Sequence, residues 1–181
     1  MTSATMDEVN VAEDFNEQVS ADLIKAAQEA DLIEAGRYRF QVESYESKKD
    51  DKEYFDEEQT QRNPWFNKTR HNLRLSLSSK RDGAGKDAPF TLLERPRTFF
   101  QRVASATVLN SKGELSNESK FFGQMAGIAA KGTGQNMTVK EVLDYFTEHA
   151  AEITITKSEA TEKYPDAKNW VRAIKALNET V

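Results

Sequence analysis

Two short stretches of strict alternation constrain this chain more than any other feature. In Arg37-Tyr38-Arg39-Phe40-Gln41-Val42 the apolar side chains Tyr38, Phe40 and Val42 fall at every second position, and between Asn72 and Ser78 the residues Leu73, Leu75 and Leu77 do the same. Successive side chains of a strand point to opposite faces, so this pattern predicts two half-buried strands, with Arg37, Arg39 and Arg74 on the wet side. Residues 80–88, with Gly83 and Gly85, predict a hairpin loop into a third strand near residues 90–93, followed by a less regular extended segment through residues 98–109. The stretch of about thirty residues between the first two strands is long for a compact domain, where such loops tend to be functional or mobile.

Helical signals interrupt the strands. Ser20 and Asp22 suit a helix start, with Leu23, Ala26, Ala27 and Ala30 on one face and the helix ending before Gly36. Ser116 or Asn117 caps a second helix with the face Phe121, Phe122, Met125, Ile128 and Ala129, stopped by Gly132 and Gly134. Thr138-Val139-Lys140-Glu141 matches a capping box, opening a helix that buries Val139, Val142, Leu143 and Phe146. Residues 152–157 alternate again as a strand, and a loop through Tyr164-Pro165-Asp166 leads to Trp170, Val171, Ile174 and Leu177, either a short helix or an extended closing segment. The expected fold is mainly β with inserted helices, an α+β arrangement. At 181 residues and 38% hydrophobic content, residues 20–181 suit one domain behind an acidic, aperiodic arm at residues 1–19, expected to be disordered.

Charge is segregated along the chain. Residues 62–112 hold eleven Lys/Arg against three acids, whereas residues 1–34 hold nine acids and only Lys25; residues 43–58 hold eight acids and three lysines. The overall charge of −5 conceals the basic block. Trp65, Phe66, Phe90, Phe99 and Phe100 are threaded through it, and cations among flat rings suit single-stranded nucleic acid, whose phosphates need positive charge and whose unpaired bases need stacking surfaces. Two groups stand out: the loop Arg62-Asn63-Pro64-Trp65-Phe66-Asn67-Lys68-Thr69-Arg70-His71, and the outward strand face of Arg37, Arg39 and Arg74 with Arg95, Arg97 and Arg102 as further members. Trp65 and Phe66 either stack on bases or fold back as a lid on the core, and the sequence leaves both open. The acidic blocks are ordinarily solvated faces or tails; alternatively the arm mimics nucleic acid or docks a basic partner.

Other chemistries find little support. Cysteine is absent, which removes disulfides, thiol nucleophiles and cysteine-bound zinc and suits a reducing cytosol. Gly83-Ala84-Gly85-Lys86 lacks the leading glycine and the final Ser/Thr of a phosphate loop, and Gly132-Thr133-Gly134 lacks the third glycine of a dinucleotide fingerprint. His71 and His149 have no second histidine or well-spaced carboxylate for a metal or a catalytic triad, and Asp50-Asp51 and Asp56-Glu57-Glu58 lack the glycine of a calcium loop. No catalytic residue, metal ligand or cofactor is expected. The N-terminal residues lack a basic segment and an apolar run, and no stretch approaches the ~18 apolar residues of a membrane helix, so no secretory signal and no membrane association are expected.

Residues 32–42, with an apolar pair, a glycine and an aromatic, resemble the opening strand of small phage-encoded proteins related to single-stranded-DNA-binding proteins. Residues 72–77 resemble their second strand, residues 121–132 the helix between barrel strands, and residues 153–164 followed by Asn169-Trp170-Val171 the closing segment. The likeness covers roughly residues 32–175 in order. The long insertion between the first strands is unusual for that family, and residues 177–181 lack the acidic tail by which many such proteins recruit partners. The resemblance implies an oligonucleotide-binding (OB-like) Greek-key β-barrel with two or three helices, in a phage replication or recombination setting and hence in the host cytoplasm.

The expectation is a non-enzymatic single-stranded-DNA-binding protein with little sequence preference. Arg37, Arg39, Lys68, Arg70, Arg74 and Arg97 would follow the backbone while Trp65 and Phe66 stack on bases. A replication or recombination protein docking on the acidic arm, and assembly into a homo-oligomer, are further expected partners. The alternatives are a phage structural or assembly protein, or a small regulator, making protein contacts without nucleic acid. Because an aperiodic acidic arm buries little apolar surface, deleting residues 1–19 should leave the melting temperature nearly unchanged in a thermal scan; a drop of more than about 5 °C would mean that the arm packs on the domain.

Overall fold

The computed structural model describes residues 15–30, 32–51, 63–159, 162 and 168–177. Residues 1–14 of the acidic arm, residues 52–62 of the long insertion with Arg62, and the Tyr164-Pro165-Asp166 turn lie outside the described residues. Five strands, β1 (Gly36–Lys49), β2 (Thr69–Arg81), β3 (Phe90–Ala104), β4 (Ala151–Lys157) and β5 (Asn169–Lys175), form one open antiparallel sheet in the order β3-β2-β1-β4-β5. Helix α1 (Ala21–Ala30) precedes the sheet, and α2 (Asn117–Thr133) and α3 (Val139–Glu148) connect β3 to β4. The chain is mainly β with inserted helices, as the alternation predicts. Closure into the expected barrel is not shown, because β3 and β5 stand as the two edges of the sheet.

Two compact units divide the chain: Ile33–Thr156 with Trp170–Val181, and Met1–Leu32 with Lys157–Asn169. The sequence reading draws an arm at residues 1–19 and one domain over residues 20–181. Helix α1 belongs to the second unit; Ser20 accepts the Leu23 amide at 3.0 Å, and Leu23 and Ile24 are exposed.

In the first unit the core forms where the apolar face of the sheet meets the two later helices. Tyr38, Phe40 and Val42 of β1, Leu73, Leu75 and Leu77 of β2, Val103 of β3 and Ile153 and Ile155 of β4 pack against Phe121, Phe122, Met125 and Ala129 of α2 and Val142, Leu143 and Phe146 of α3. Phe146 stacks on Phe40 with ring centres 6.1 Å apart. Both helices start on side-chain caps. The Ser116 hydroxyl accepts the Ser119 amide, and Thr138 Oγ1 accepts the Glu141 amide at 3.2 Å, relieving backbone N–H groups that have no helical partner.

Two details differ from the sequence reading, and a third decides between its alternatives. Helix α2 runs through Gly132 and ends at Gly134, which takes the left-handed conformation (φ 69°). Gly132 is small because a Cβ there would collide with the Tyr145 hydroxyl of α3. Val139 of the capping box is exposed rather than buried, and the closing segment, left open between helix and extended chain, is the edge strand β5.

His71 lies on the buried face of β2. Its Nδ1 shares a 2.7 Å hydrogen bond with Ser47 Oγ, its ring tilts against Phe122, and among the described residues Nε2 has no partner. Burial therefore holds its pKa below the ordinary value, since a charged imidazolium would be desolvated. The unfolded chain binds this proton from about pH 6.5 downward whereas the folded chain resists it, so His71 withdraws stability as pH falls from about 6.5 towards the depressed folded value. The urea midpoint should fall between pH 7.5 and 5.5, and His71→Phe should flatten that dependence; equal slopes in both proteins would refute a buried neutral imidazole.

Candidate nucleic-acid interface

The solvent face of the sheet is set by register. Residues directly opposite in a ladder share a face, and the β2–β3 pairs Asn72↔Arg102, Arg74↔Phe100 and Ser76↔Thr98 alternate with the core-side pairs His71↔Val103, Leu73↔Gln101 and Leu75↔Phe99. From β1 the same face receives Gln41 opposite Ser76, Ser44 opposite Arg74, Glu46 opposite Asn72 and Lys48 opposite Arg70. Phe100 stands on the edge strand, 68% exposed, with the Arg74 guanidinium of the neighbouring strand 5.9 Å from its ring centre. Arg74 also pairs with Glu43 at 2.9 Å, and Arg102 with Glu118 of α2 at 3.1 Å.

Asp50, immediately after β1, organises one end of this face. Its carboxylate accepts Nδ2 of the buried Asn63 and the Arg70 guanidinium, each at 3.1 Å, while its backbone bonds to Asn67 and Lys68 close the base of the long β1–β2 connection. Trp65 is held beneath this clasp. It is only 8% exposed, packs with Ala104 and Val108, and lies under the Arg70 guanidinium at 5.0 Å. Phe66 is half-buried and, with Asn63, Pro64, Asn67 and Lys68, lines an open pocket of about 390 Å³. Asn67 turns the chain there in the left-handed region (φ 60°), which asparagine tolerates better than most residues.

The opposite end of the face is covered by the chain's own loop. Between Leu77 and Ser79 the register shifts, turning Ser79 and Arg81 to the solvent side. Arg81 is nonetheless buried there. It pairs with the buried Glu152 of β4, donates to the Ala88 carbonyl, and sits 4.2 Å from the Phe90 ring centre. Arg37 donates to the carbonyl oxygens of Gly83 at 2.9 Å and Gly85 at 2.5 Å, holding the hairpin loop down.

The expected residues thus separate. Arg74 lies on the open face, Lys68 is exposed beside Phe66, and Arg70 sits at the end of the face engaged by Asp50 and Trp65. Arg39 lies between Ser79 and Glu152 in the ladder. Arg37 is occupied as a loop clamp, and Arg97 pairs with Leu77, which puts it on the core-side register at the sheet edge instead of beside Arg74. Trp65 takes the core-packing alternative, so a base could reach its face only by displacing that packing. The sequence reading counts Phe100 among the rings of the basic block without naming it as a contact, although the doublet Phe99-Phe100 in a strand obliges one ring to face outward, and it names neither carboxylate, Glu43 or Glu118, as a partner of the arginines.

Among the described residues no cluster of three or more His, Asp or Glu could hold a metal ion, and no helix is long and apolar enough to cross a membrane. A scan against protein-family models matched none, and searches of curated proteins and of solved structures found no similar chain.

Losing a buried Trp side chain costs about 3–5 kcal/mol, so Trp65→Ala should lower unfolding free energy by about 3 kcal/mol or more, whereas exposed Phe100→Ala should change it by less than about 0.5 kcal/mol. Urea titration measures both; a neutral Trp65→Ala would contradict its structural role.

Proposed function

We propose that this protein binds single-stranded DNA without catalysis, along the solvent face of β1, β2 and β3, with little sequence preference. The observation that carries the reading is Phe100: a large ring two-thirds exposed on the edge strand β3, flanked by Arg74 and Arg102, offers stacking surface and positive charge to one nucleotide at once. Lys48 and Lys68, both exposed, add charge towards the pocket beside Phe66. The strand order adds support. β1 pairs with both β2 and β4, and helices bridge β3 to β4, an arrangement compatible with an opened OB-like barrel, in which the faces of the second and third strands and the loop between the first two carry the ligand. A phage replication or recombination role would follow from that activity.

A second reading, a protein-contact surface, draws on the carboxylates. Glu43 and Glu118 already neutralise Arg74 and Arg102, so nucleic acid must compete with them, while a protein could use the mixed charges as they stand. Titration with labelled oligo-dT separates the two. Four phosphate contacts predict a log affinity falling with log salt at a slope of roughly −3, and Phe100→Ala should weaken binding about five- to a hundredfold with an unchanged melting temperature. No binding at low salt, or binding indifferent to both salt and Phe100, would refute the proposal.

A further inference from the structure

A second exposed ring stands on the far edge of the same sheet. In β5, Val171 and Ile174 are buried, whereas Trp170 is 49% exposed. Its face follows from its neighbours. Ile153 and Ile155 of β4 point into the core, so Thr154 and Thr156 point away from it, and the Arg172 Nε donates to Thr156 Oγ1 at 3.3 Å, which puts Arg172, and Trp170 two residues before it, on the solvent side. Thr154 is in turn opposite Arg37, whose face continues across β1. Trp170 and Phe100 therefore lie on the two edge strands and on the same side of the sheet, with the part of that side at Arg37 and Arg81 covered by the hairpin loop between them.

Along this last described stretch of the chain the charge is one-sided. Residues 168–177 contain Lys168, Arg172 and Lys175 and no acid, and among the described residues no carboxylate pairs with Arg172, unlike Arg74 and Arg102. A Trp ring beside an arginine without a carboxylate partner is complementary to a base with its phosphate, since the ring supplies stacking and the guanidinium the counter-charge. An acidic protein surface would satisfy Arg172 but leave the ring's polarisable face to ordinary apolar contact.

We infer that Trp170 and Arg172 form a second nucleotide station, so that a bound strand runs from Phe100, over the hairpin loop that covers Arg37 and Arg81, to β5. This inference rests on the nucleic-acid reading and assigns its extent. Four spacings of about 4.8 Å put the two edges some 19 Å apart across a flat sheet, and the offset along β1 from Ser44, in line with Phe100, to Arg37, opposite Thr154, adds to that, so a few nucleotides cannot serve both stations at once, whereas a site at the upper end of the ~4–16 nucleotides typical of one OB domain can.

Fluorescence and oligonucleotide length test it together. With dT20, emission should be quenched in the parent protein and not in Trp170→Phe, which isolates this ring from buried Trp65. Trp170→Ala should weaken dT20 about five- to a hundredfold and leave dT4, held at Phe100, within twofold. Arg172→Gln, which keeps the ring, should weaken dT20 and reduce its salt slope by about 0.7, and serves if the alanine variant folds poorly. Parent-like dT20 binding in both variants, with Phe100→Ala impaired, overturns the second station alone. Loss of self-association in Trp170→Ala with unchanged dT20 affinity also overturns it, assigning the patch to a second copy of the chain. Indifference of all three variants, Phe100→Ala included, overturns the nucleic-acid reading itself.

Discussion

The architecture depends on β1 serving two partners while keeping its apolar side chains on one side. From Gly36 to Phe40 it pairs with β4, from Tyr38 to Lys49 with β2, and two shifts of register reconcile these ladders. At Glu43 the extra residue lies in β1, so Tyr45 and Ser47 continue the inward face that Tyr38, Phe40 and Val42 begin. At Ser78 it lies in β2, so Ser79 and Arg81 turn outward while Lys80 comes over the Tyr38 ring. A bulge reverses which residues face water beyond it, and these two divide the solvent face into an open part and a covered part. Phe100 and Arg74 belong to the open part because they lie beyond the Glu43 shift, at the end of the ladder away from Ser79, Arg81 and the hairpin loop.

Charged side chains anchor the loops at both ends of that face. Arg81 with Glu152 and Arg70 with Asp50 are removed from water to different degrees, and removing ions from water costs free energy that their mutual attraction offsets only when further hydrogen bonds complete the site. Those bonds are present: Arg81 also reaches Ala88, and Asp50 also holds Asn63, Asn67 and Lys68. The product is loop position as much as stability. The edge strand β3 is protected differently, since between its pairings at Leu92 and Arg97 the chain departs from register through residues 93–96, and Pro96, lacking an N–H, offers no donor to an incoming strand.

Much of the core was legible because period-two patterns and helix caps are local signals. Tyr38, Phe40, Val42, Leu73, Leu75 and Leu77 are buried as the alternation requires, and Ser116 and Thr138 cap as their positions suggest. The site was harder to read because it depends on register. Arg37, Arg74 and Arg97 look equivalent as arginines in alternating segments, yet one clamps a loop, one lies on the open face and one falls on the opposite register. Nothing local distinguishes Trp65 from Phe66; Ala104 and Val108, some forty residues away in sequence, decide which is buried. The closing segment was ambiguous because Val171 and Ile174 are three residues apart, a helical spacing, and the strand forms against β4 with the Ile174 amide held by Gln124 of α2 at 3.0 Å.

The most direct test of the central claim is to locate the contact itself. An oligo-dT carrying 5-iodo-deoxyuridine, irradiated in complex with the protein and digested with trypsin, reports by mass spectrometry which peptide holds the base. The account predicts a crosslink in Thr98–Arg102, at Phe100, lost in high salt together with binding. Crosslinks confined to other faces of the molecule, or none under conditions where the oligonucleotide is bound, would contradict it.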